Sequence, residues 1–347
     1  MIIDAHVHCR DFAQRKKETV RHALEVARDS GVSAIFDMPN TDPALTTKEL
    51  ILARLALAKE AGVSDVFYGL YAGVTPHPEQ IKGVVALSRL SPQVVGLKMY
   101  AGQSVGDLAI PTCEEQGLVY ATLASEGYEG VIVVHAEKED HFLPELWDAH
   151  KPFSHCLARP EAAEIASVQD QIQLSQLMGY KGKLHIPHIS SPKAVEIITE
   201  ARKHKVDISC SVCPHHLLFD WTQMDGENGI LWKMNPPLRA AESRAGLVGL
   251  LKRGEIDWIE TDHAPHLYEE KVGSPWMSGI PGLASWPFFL EYLRREGFSD
   301  ARIRELVFDN VANRFGVDIA YRMGRPLVDR TGDYAFQPYA RLAGLVR

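Results

Sequence analysis

The sequence predicts an α/β fold, a (β/α)8 TIM barrel with long loops after several strands and a C-terminal extension. Eight short apolar runs rich in β-branched residues recur along the chain, and longer stretches with helical spacing of apolar residues separate them. Runs that are apolar throughout, such as residues 131–134, are typical of strands in a parallel sheet that is covered on both faces. Eight strand–helix units of this kind indicate a closed barrel.

The predicted strands follow one another along the whole chain. They lie at residues 1–5, 33–38, 65–71, 94–99, 130–135, 183–188, 206–212 and 256–261. A barrel needs about 250 residues, whereas this chain has 347. We therefore assign residues 1–319 to the barrel, with long loops after strands five, seven and eight, and residues 320–347 to an extension that packs on it. The rival architecture, an open doubly wound sheet, would place a Gly-rich phosphate turn after a strand, and the sequence contains none.

The composition excludes several classes of protein. Acidic residues outnumber basic ones by 45 to 37, which gives a net charge of −8, and 46% of the residues are hydrophobic. These values are typical of a globular protein and, without a basic run, argue against nucleic acid as a partner. No apolar stretch is long enough for a membrane helix, and Asp4 interrupts the start of the chain before a signal peptide could form. Five scattered cysteines do not make a disulfide framework, so we expect a cytoplasmic protein.

Side chains that can bind metals stand at the carboxyl ends of five predicted strands, which is the end of a barrel where catalysis takes place. They are His6 and His8 in strand one, Lys98 in strand four, His135 in strand five, His188 in strand six and Asp262 in strand eight. The strand period of two also puts Arg10 on the face of His6 and His8. A histidine pair considered alone is more often a surface or core feature, but a barrel would bring all these side chains to one mouth. Imidazole and carboxylate ligands suit zinc or a similar divalent ion.

Lys98 lies among the apolar residues of strand four. A buried ammonium is unfavourable unless it is paired, so this lysine either extends its ammonium to the rim or loses its charge. A neutral lysine can react with carbon dioxide to form a carbamate, whose two oxygens can bridge two cations. For a single strand lysine, extension to the rim is the commoner outcome.

Two other groups of potential ligands are assigned to packing. His185 lies three residues before His188, on the opposite face of an extended strand, so we expect it to pack between the barrel and its helices. Cys210 and Cys213 form a C-x-x-C pair beside two histidines, but a second ligand pair with the spacing of a structural zinc site is missing.

Several short motifs of the sequence are known together from one enzyme superfamily. They are Asp4-Ala5-His6-Val7-His8-Cys9-Arg10-Asp11, Met38-Pro39-Asn40-Thr41, Gly96-Leu97-Lys98, His135-Ala136-Glu137, His188-Ile189-Ser190, Pro214-His215-His216-Leu217, Asn235-Pro236-Pro237-Leu238-Arg239 and Thr261-Asp262-His263-Ala264-Pro265-His266. In this combination the chain resembles the amidohydrolase superfamily and, within it, the dihydroorotases, from residue 4 to about residue 285. The Asn-Pro-Pro-Leu-Arg and Asp-His-Ala-Pro-His segments favour dihydroorotases over hydantoinases or allantoinases.

The resemblance implies a role for each candidate residue. His6, His8 and Asp262 would hold one zinc ion, His135 and His188 would hold the other, and carboxylated Lys98 would bridge the two. Arg10, Asn40 and His266 would bind the substrate carboxylate, and Asn235 would lie near the substrate ring. Compared with many of these relatives, the sequence lacks an N-terminal β-sandwich segment.

By the same resemblance, the expected reaction is the zinc-dependent, reversible cyclisation of N-carbamoyl-L-aspartate to L-dihydroorotate in pyrimidine biosynthesis. Two cations would lower the pKa of a shared water, so that a metal-bridging hydroxide attacks the ring amide, while Asp262 takes the proton and returns it to the departing nitrogen. Two alternatives stay open. One is a hydantoinase or allantoinase with an uncharged ring as its small-molecule substrate, and the other is a non-catalytic barrel in a pyrimidine-pathway assembly. A homo-oligomer is also left open.

Overall fold

The chain forms one sheet of eight parallel strands that are neighbours in chain order. The structure, a computed structural model, describes residues 1–102, 108–319 and 326–345. The predicted C-terminal extension lies partly outside the described residues, at 320–325 and 346–347.

The strands agree with the eight apolar runs of the sequence. They are β1 (Ile3–Val7), β2 (Ala34–Asp37), β3 (Phe67–Gly73), β4 (Val94–Tyr100), β5 (Val131–His135), β6 (Lys183–Ile186), β7 (Ile208–Val212) and β8 (Trp258–Ile259). Val7 and His263 form a parallel bridge, and the backbone N–H of His8 donates to the carbonyl of His263 at 2.8 Å. These contacts connect the first strand with the end of the last, so the predicted (β/α)8 barrel is confirmed.

Helices follow the strands on the outside of the barrel and also occupy the long loops. Within the described ranges the α-helices are α1 (Val20–Asp29), α2 (Lys48–Ala61), α3 (Pro78–Leu90), α4 (Cys113–Ser125), α5 (Ser154–Ala158), α6 (Glu161–Leu177), α7 (Pro192–Lys203), α8 (Pro214–Leu218), α9 (Ala241–Arg253), α10 (Tyr268–Val272), α11 (Trp286–Arg295), α12 (Asp300–Arg304) and α13 (Asn310–Phe315). Threonine side chains cap α1, α2 and α4, where each accepts a backbone N–H of the first turn. None of the helices in the described part of the chain combines the length and apolar character needed to cross a bilayer.

The barrel interior is filled by aromatic side chains toward the amino ends of the strands. Phe36 packs edge-to-face on Tyr71 at 6.2 Å and on Phe315 of α13 at 5.2 Å between ring centroids. Trp258 belongs to the same buried cluster, and a second, larger cluster packs between the sheet and the helices.

A buried ion pair supports the loop after β1. Nη2 of Arg54 lies 2.7 Å from Oδ2 of Asp37, and both side chains are fully buried. Arg54 also donates from Nη1 to the backbone carbonyl of Arg10 at 2.6 Å, and Asp37 accepts the backbone N–H of Cys9 at 2.9 Å. The pair therefore holds the backbone on which Arg10 stands.

The described part of the C-terminal segment contacts α1 and the loop after β7. The backbone N–H of Val328 donates to the carbonyl of Asp29 at 2.9 Å. The Tyr334 hydroxyl donates to Glu18 at 3.1 Å, and the Tyr339 hydroxyl lies 3.2 Å from Nδ1 of His215. The division of the chain at residue 319 stays a prediction.

Candidate active site

A cavity of about 460 Å³ opens at the carboxyl ends of the strands. All ten site residues named from the sequence line it, namely His6, His8, Arg10, Asn40, Lys98, His135, His188, Asn235, Asp262 and His266. A larger groove of about 630 Å³ lies beside α2 and the start of β3, and its described lining contains no histidine. The chemistry-bearing side chains therefore gather in the cavity at the barrel mouth.

One cluster in the cavity joins the first and last strands. Oδ1 of Asp262 lies 3.0 Å from Nε2 of His8 and 3.4 Å from Nε2 of His6. The ligand atoms of the three residues all lie within 4.8 Å of one another. Burial holds the pKa of His6 well below its usual value and lowers the pKa of His8. Both rings are therefore neutral near pH 7, which is the form that binds metals.

A second cluster joins the ends of β5 and β6. Nδ1 of His135 lies 3.2 Å from Nε2 of His188, and the His6 and His188 ring centroids are 4.9 Å apart. Nε2 of His135 contacts Oε2 of Glu137 at 2.8 Å, and Arg159 donates to the same carboxylate. Burial alone would raise the pKa of Glu137, but the Arg159 cation and His135 hold it well below its usual range.

Lys98 lies between the two clusters and is fully buried. Its Nζ has no hydrogen-bond partner among the residues that the structure describes, and it lies 4.9 Å from the centroid of the Tyr100 ring. Burial lowers the pKa of Lys98 to about 7. Of the two outcomes left open by the sequence, the structure therefore excludes extension of this ammonium to the rim.

Arg10 occupies the wall of the cavity near the loop after β8. It donates from Nε to the carbonyl of Pro265 at 3.1 Å and from Nη2 to Nε2 of His266 at 3.0 Å. Burial and the Arg10 cation hold the pKa of His266 well below its usual value, so the ring is neutral and can accept this bond. Asn40 lies on the same side, where its Oδ1 accepts a hydrogen bond from Nδ1 of His8 at 2.7 Å.

Asn235 and Lys233 contribute the wall formed by the loop after β7. Oδ1 of Asn235 lies 3.0 Å from Nε2 of His155. Lys233 donates from Nζ to the carbonyl of Trp276 and to Oγ of Ser278, both at 2.8 Å. Burial lowers the pKa of Lys233 to about 8.

Four of the cavity residues other than glycine have a left-handed backbone, and one of them is Trp276 with a φ of +50°. The φ angles of the other three are +53° at Arg10, +39° at His188 and +48° at Asp262. Such conformations are unfavourable for residues with a Cβ and tend to occur at functional sites. The turns that they form direct the side chains into the cavity.

Several residues of the site were not predicted from the sequence. Tyr100, Lys233 and the segment 275–279 line the cavity, and Glu260 lies beneath it. Glu260 contacts Nδ1 of His6 at 3.2 Å, and burial raises the pKa of this carboxyl to about 7. Its position two residues before Asp262, on a strand with a period of two, was the available signal.

The expected position of His185 was wrong. Its ring stacks on Trp258 inside the barrel, with 4.0 Å between centroids, and contacts the hydroxyls of Ser209 and Ser211 at 2.9 and 3.1 Å. The period of two fails because β6 ends at Ile186 and the backbone turns at His188.

The C-x-x-C segment, for which the sequence predicts a role in packing, brings three potential ligands close together. Ligand atoms of Cys213, His215 and His216 lie within 4.8 Å of one another, and all three residues are buried. Cys210 is not part of this group, and its thiol faces Arg202 instead.

The donor set of the cavity fits divalent metal ions. Five neutral or acidic ligands, from four imidazoles and one carboxylate, surround a buried lysine nitrogen that has no partner among the described residues. A buried polar atom of this kind is unfavourable unless a ligand or a modification satisfies it. The facing nitrogens of His135 and His188 contribute two of the four imidazole donors to this set.

The chain is similar to known dihydroorotases. It is 32% identical to the dihydroorotase of Methanosarcina mazei over 335 residues, which cover 91% of this chain and 70% of that protein. The dihydroorotase of Brevibacillus brevis is 32% identical over 280 residues, or 78% of this chain and 62% of that protein. The chain thus spans about two thirds of the length of these relatives. No protein-family model matches the chain.

Solved structures of related enzymes share the fold. L-hydantoinase (dihydropyrimidinase) from Arthrobacter aurescens has a TM-score of 0.80 and 26% identity, and the match covers 95% of this chain and 74% of that one. Dihydroorotase from Campylobacter jejuni has a TM-score of 0.70 and 16% identity, with 91% and 83% covered, a likeness in fold alone. The chain is a cyclic amidohydrolase and belongs to the dihydroorotase family of the amidohydrolase superfamily.

Proposed function

We propose that this protein is a dihydroorotase, which interconverts N-carbamoyl-L-aspartate and L-dihydroorotate in pyrimidine biosynthesis. The observation that carries this proposal is the position of Arg10, whose buried guanidinium lines the same cavity as the histidine and aspartate cluster. Both compounds carry a carboxylate that takes no part in ring closure, and a planar guanidinium can bind such a group with two parallel hydrogen bonds. In a chain with a net charge of −8, a local cation is needed to attract an anionic substrate.

The metal ligands of the proposed enzyme come from five strand ends. His6, His8 and Asp262 would hold one Zn²⁺, His135 and His188 would hold a second, and carboxylated Lys98 would bridge them. When bound, two cations would lower the pKa of a bound water to about 7 and would polarise a ring carbonyl. These assignments are supported by the neutral imidazoles and by the unpartnered Lys98 nitrogen within the described structure.

Lys98 can become a carbamate at ordinary pH. Because its pKa is about 7, a large fraction of the amine is uncharged in neutral solution. The Nζ lone pair would form a bond to the carbon of carbon dioxide and release one proton, which gives an anion with two oxygens. This change replaces an unpartnered cation by a group that suits neighbouring cations.

Asp262 is the proposed proton carrier. In the hydrolytic direction a water oxygen forms a bond to the ring amide carbon, and Asp262 accepts a proton from that water. The carbon–nitrogen bond then breaks, and Asp262 gives the proton to the departing nitrogen; ring closure reverses these steps. The position of Oδ1, within 3.4 Å of the imidazoles of both His6 and His8, supports a role at the reacting centre.

Arg10, Asn40 and His266 would bind the substrate carboxylate, while Asn235 would contact the ring. Arg10 and His266 are hydrogen-bonded to each other, so the cation is oriented before substrate arrives. Asn40 gives its carbonyl oxygen to His8 and therefore has its amide N–H groups available for an anion.

A hydantoinase is the second candidate, since L-hydantoinase shares 26% identity and a TM-score of 0.80 with this chain. Hydantoin and allantoin carry no carboxylate for Arg10 to bind, which favours dihydroorotase. A non-catalytic barrel is less well supported because all ten expected site residues line one cavity.

The deciding experiment is to incubate the purified, zinc-loaded protein with carbamoyl aspartate, dihydroorotate, hydantoin and allantoin in parallel. We expect turnover of the first two only, and about two zinc ions per chain by elemental analysis. Faster turnover of hydantoin or allantoin would contradict the proposed substrate. Absence of both zinc and turnover would contradict the proposed enzyme.

A further inference from the structure

One buried carboxylate beneath the cavity contacts two of the proposed histidine ligands. Glu260 follows β8 and is only 1% exposed. Its Oε1 lies 3.2 Å from Nδ1 of His6 and accepts the backbone N–H of His188 at 3.3 Å. Its Oε2 accepts a hydrogen bond from Nε1 of Trp258 at 2.9 Å. The same carboxylate therefore connects residues of β1 and β8 with the turn after β6.

We propose that Glu260 is a positioning residue for His6, an inference that rests on the metal site of the proposed function. When Glu260 accepts the Nδ1–H of His6, it fixes the neutral ring form whose lone pair is on Nε2. That nitrogen faces the cavity and lies 3.4 Å from Oδ1 of Asp262. A carboxylate on the outer nitrogen of a metal-binding imidazole orients the ring and makes the inner nitrogen a stronger ligand.

The same arrangement recurs at three histidines of the cavity. In each, one ring nitrogen contacts a side-chain oxygen and the other faces another proposed ligand. The oxygen partners are those of Glu260 for His6, Asn40 for His8 and Glu137 for His135. This recurrence indicates that the contact between Glu260 and His6 belongs to the organisation of the cavity and is not an isolated packing contact.

Contacts with Trp258 and with the backbone of His188 fix the position of Glu260. The Trp258 indole that donates to it stacks on His185 at 4.0 Å between ring centroids, inside the barrel. Glu260 also accepts the backbone N–H of His188, a residue with a φ of +39°. Loss of the carboxylate would therefore free both the His6 ring and the turn that presents His188.

The test compares the full-length protein with its Glu260→Gln variant. Glutamine has the same size, but its NH2 group must face either the Nδ1–H of His6 or the N–H of Trp258, so one hydrogen bond is lost. We expect the zinc affinity, measured by competition with a chromophoric chelator, to fall 10- to 100-fold. We also expect the Co²⁺-substituted variant to show an altered visible absorption spectrum, because the coordination geometry changes.

A matched control is Glu18→Gln. Glu18 is also a buried carboxylate bonded to an imidazole, that of His263, but neither residue lines the cavity. This variant should bind zinc as the parent does. If Glu260→Gln keeps the parent affinity and spectrum, or if Glu18→Gln lowers the affinity as much, the positioning role is wrong.

A measurement on the metal-free protein separates this inference from the proposed function. With ¹⁵N-labelled histidine, NMR should identify His6 as the Nδ1–H form in the parent and a changed mixture of forms in Glu260→Gln. An unchanged His6 signal would overturn the positioning role even if the parent is an active dihydroorotase. A changed signal together with the loss of zinc affinity would support it even if the parent acts on another ring.

Discussion

Nη2 of Arg10 lies 3.0 Å from Nε2 of His266, although 256 residues separate the two in sequence. The contact joins the loop after β1 to the loop after β8 on one wall of the cavity. Together with the bond from Arg10 Nε to the Pro265 carbonyl, it fixes the plane of the guanidinium. A planar cation in a fixed orientation can discriminate in favour of substrates that carry a carboxylate.

Arg10→Lys should therefore weaken substrate binding more than it affects folding. Lysine keeps the charge but cannot form two parallel hydrogen bonds, and loss of one charge-assisted bond costs about 1.5 to 3 kcal/mol, or roughly 10- to 150-fold in kcat/KM. Steady-state kinetics with dihydroorotate should show the change mainly in KM. Arg294→Lys, on the exposed end of α11, is the control. Unchanged kinetics in Arg10→Lys would place the substrate carboxylate elsewhere.

Asp262→Asn should leave the fold nearly intact and remove turnover, since an amide cannot carry the proton. Removal of a general acid–base group lowers kcat by about 100- to 10,000-fold. The measurement is kcat of the zinc-loaded variant, alongside its circular dichroism spectrum. Activity comparable with that of the parent in a folded variant would refute the proposed role.

Lys98→Ala should lose both metal and activity, because the bridging carbamate can no longer form. Short carboxylic acids such as acetate should restore part of the activity, since a free carboxylate can occupy the space that the side chain leaves. The activity of the variant should not depend on added bicarbonate. Lys183→Ala is a suitable control, as the Nζ of Lys183 donates to the carbonyl of Arg314, outside the cavity. Full metal content and an unchanged rate in Lys98→Ala would remove this lysine from the site.

The contact of His22 with Glu18 and Asp333 should make stability depend on pH. A hydrogen bond that His22 donates to the Glu18 carboxylate raises the pKa of His22 to about 9 from an ordinary value of 6.5. Because the folded pKa is the higher one, this contribution is fully present below pH 6.5 and disappears as the pH rises through about 9. The difference in unfolding free energy between the parent and His22→Gln, from urea titrations, should shrink over that interval. A constant difference would show that His22 does not titrate with this pKa.

Glu18 should make stability depend on pH in the opposite direction from His22. Burial would raise the pKa of Glu18, but the charges and hydrogen bonds of His263 and His22 lower it to about 2 from 4.5. Its contribution is therefore present above pH 4.5 and is lost as the pH falls through about 2. The parent should lose stability relative to Glu18→Gln when urea titrations are extended into that range, and an equal pH dependence of the two proteins would contradict this.

The barrel and the histidine, lysine and aspartate side chains at its strand ends could be predicted because both depend on simple regularities. Apolar strands in a parallel sheet have a recognisable pattern, and a barrel places all strand ends at one mouth. Residues as far apart as His6 and Asp262 are therefore brought together by the fold alone. Asn40 and Asn235 were predicted only through the resemblance to dihydroorotases, because spacing gave no signal for them.

The residues that were missed depend on local departures from regularity. His185 faces the barrel interior because the strand ends before His188, where the backbone turns. Glu260 contacts His6 because a buried carboxylate can point along the barrel axis from the layer beneath the mouth. The segment 275–279 lies in a long loop after β8, and Lys233 holds it against the cavity by donating to the carbonyl of Trp276.

The left-handed backbones at Arg10, His188 and Asp262 lower the stability of the fold at positions where the proposed reaction needs these side chains. Each costs about 1 to 3 kcal/mol for a residue with a Cβ, and glycine would relieve most of that cost. Selection of variants for thermal stability alone should therefore favour glycine at these three positions. Such variants should be more stable but should lack the side chains that the proposed reaction needs. This chain has arginine, histidine and aspartate at these positions, the side chains that the proposed chemistry needs.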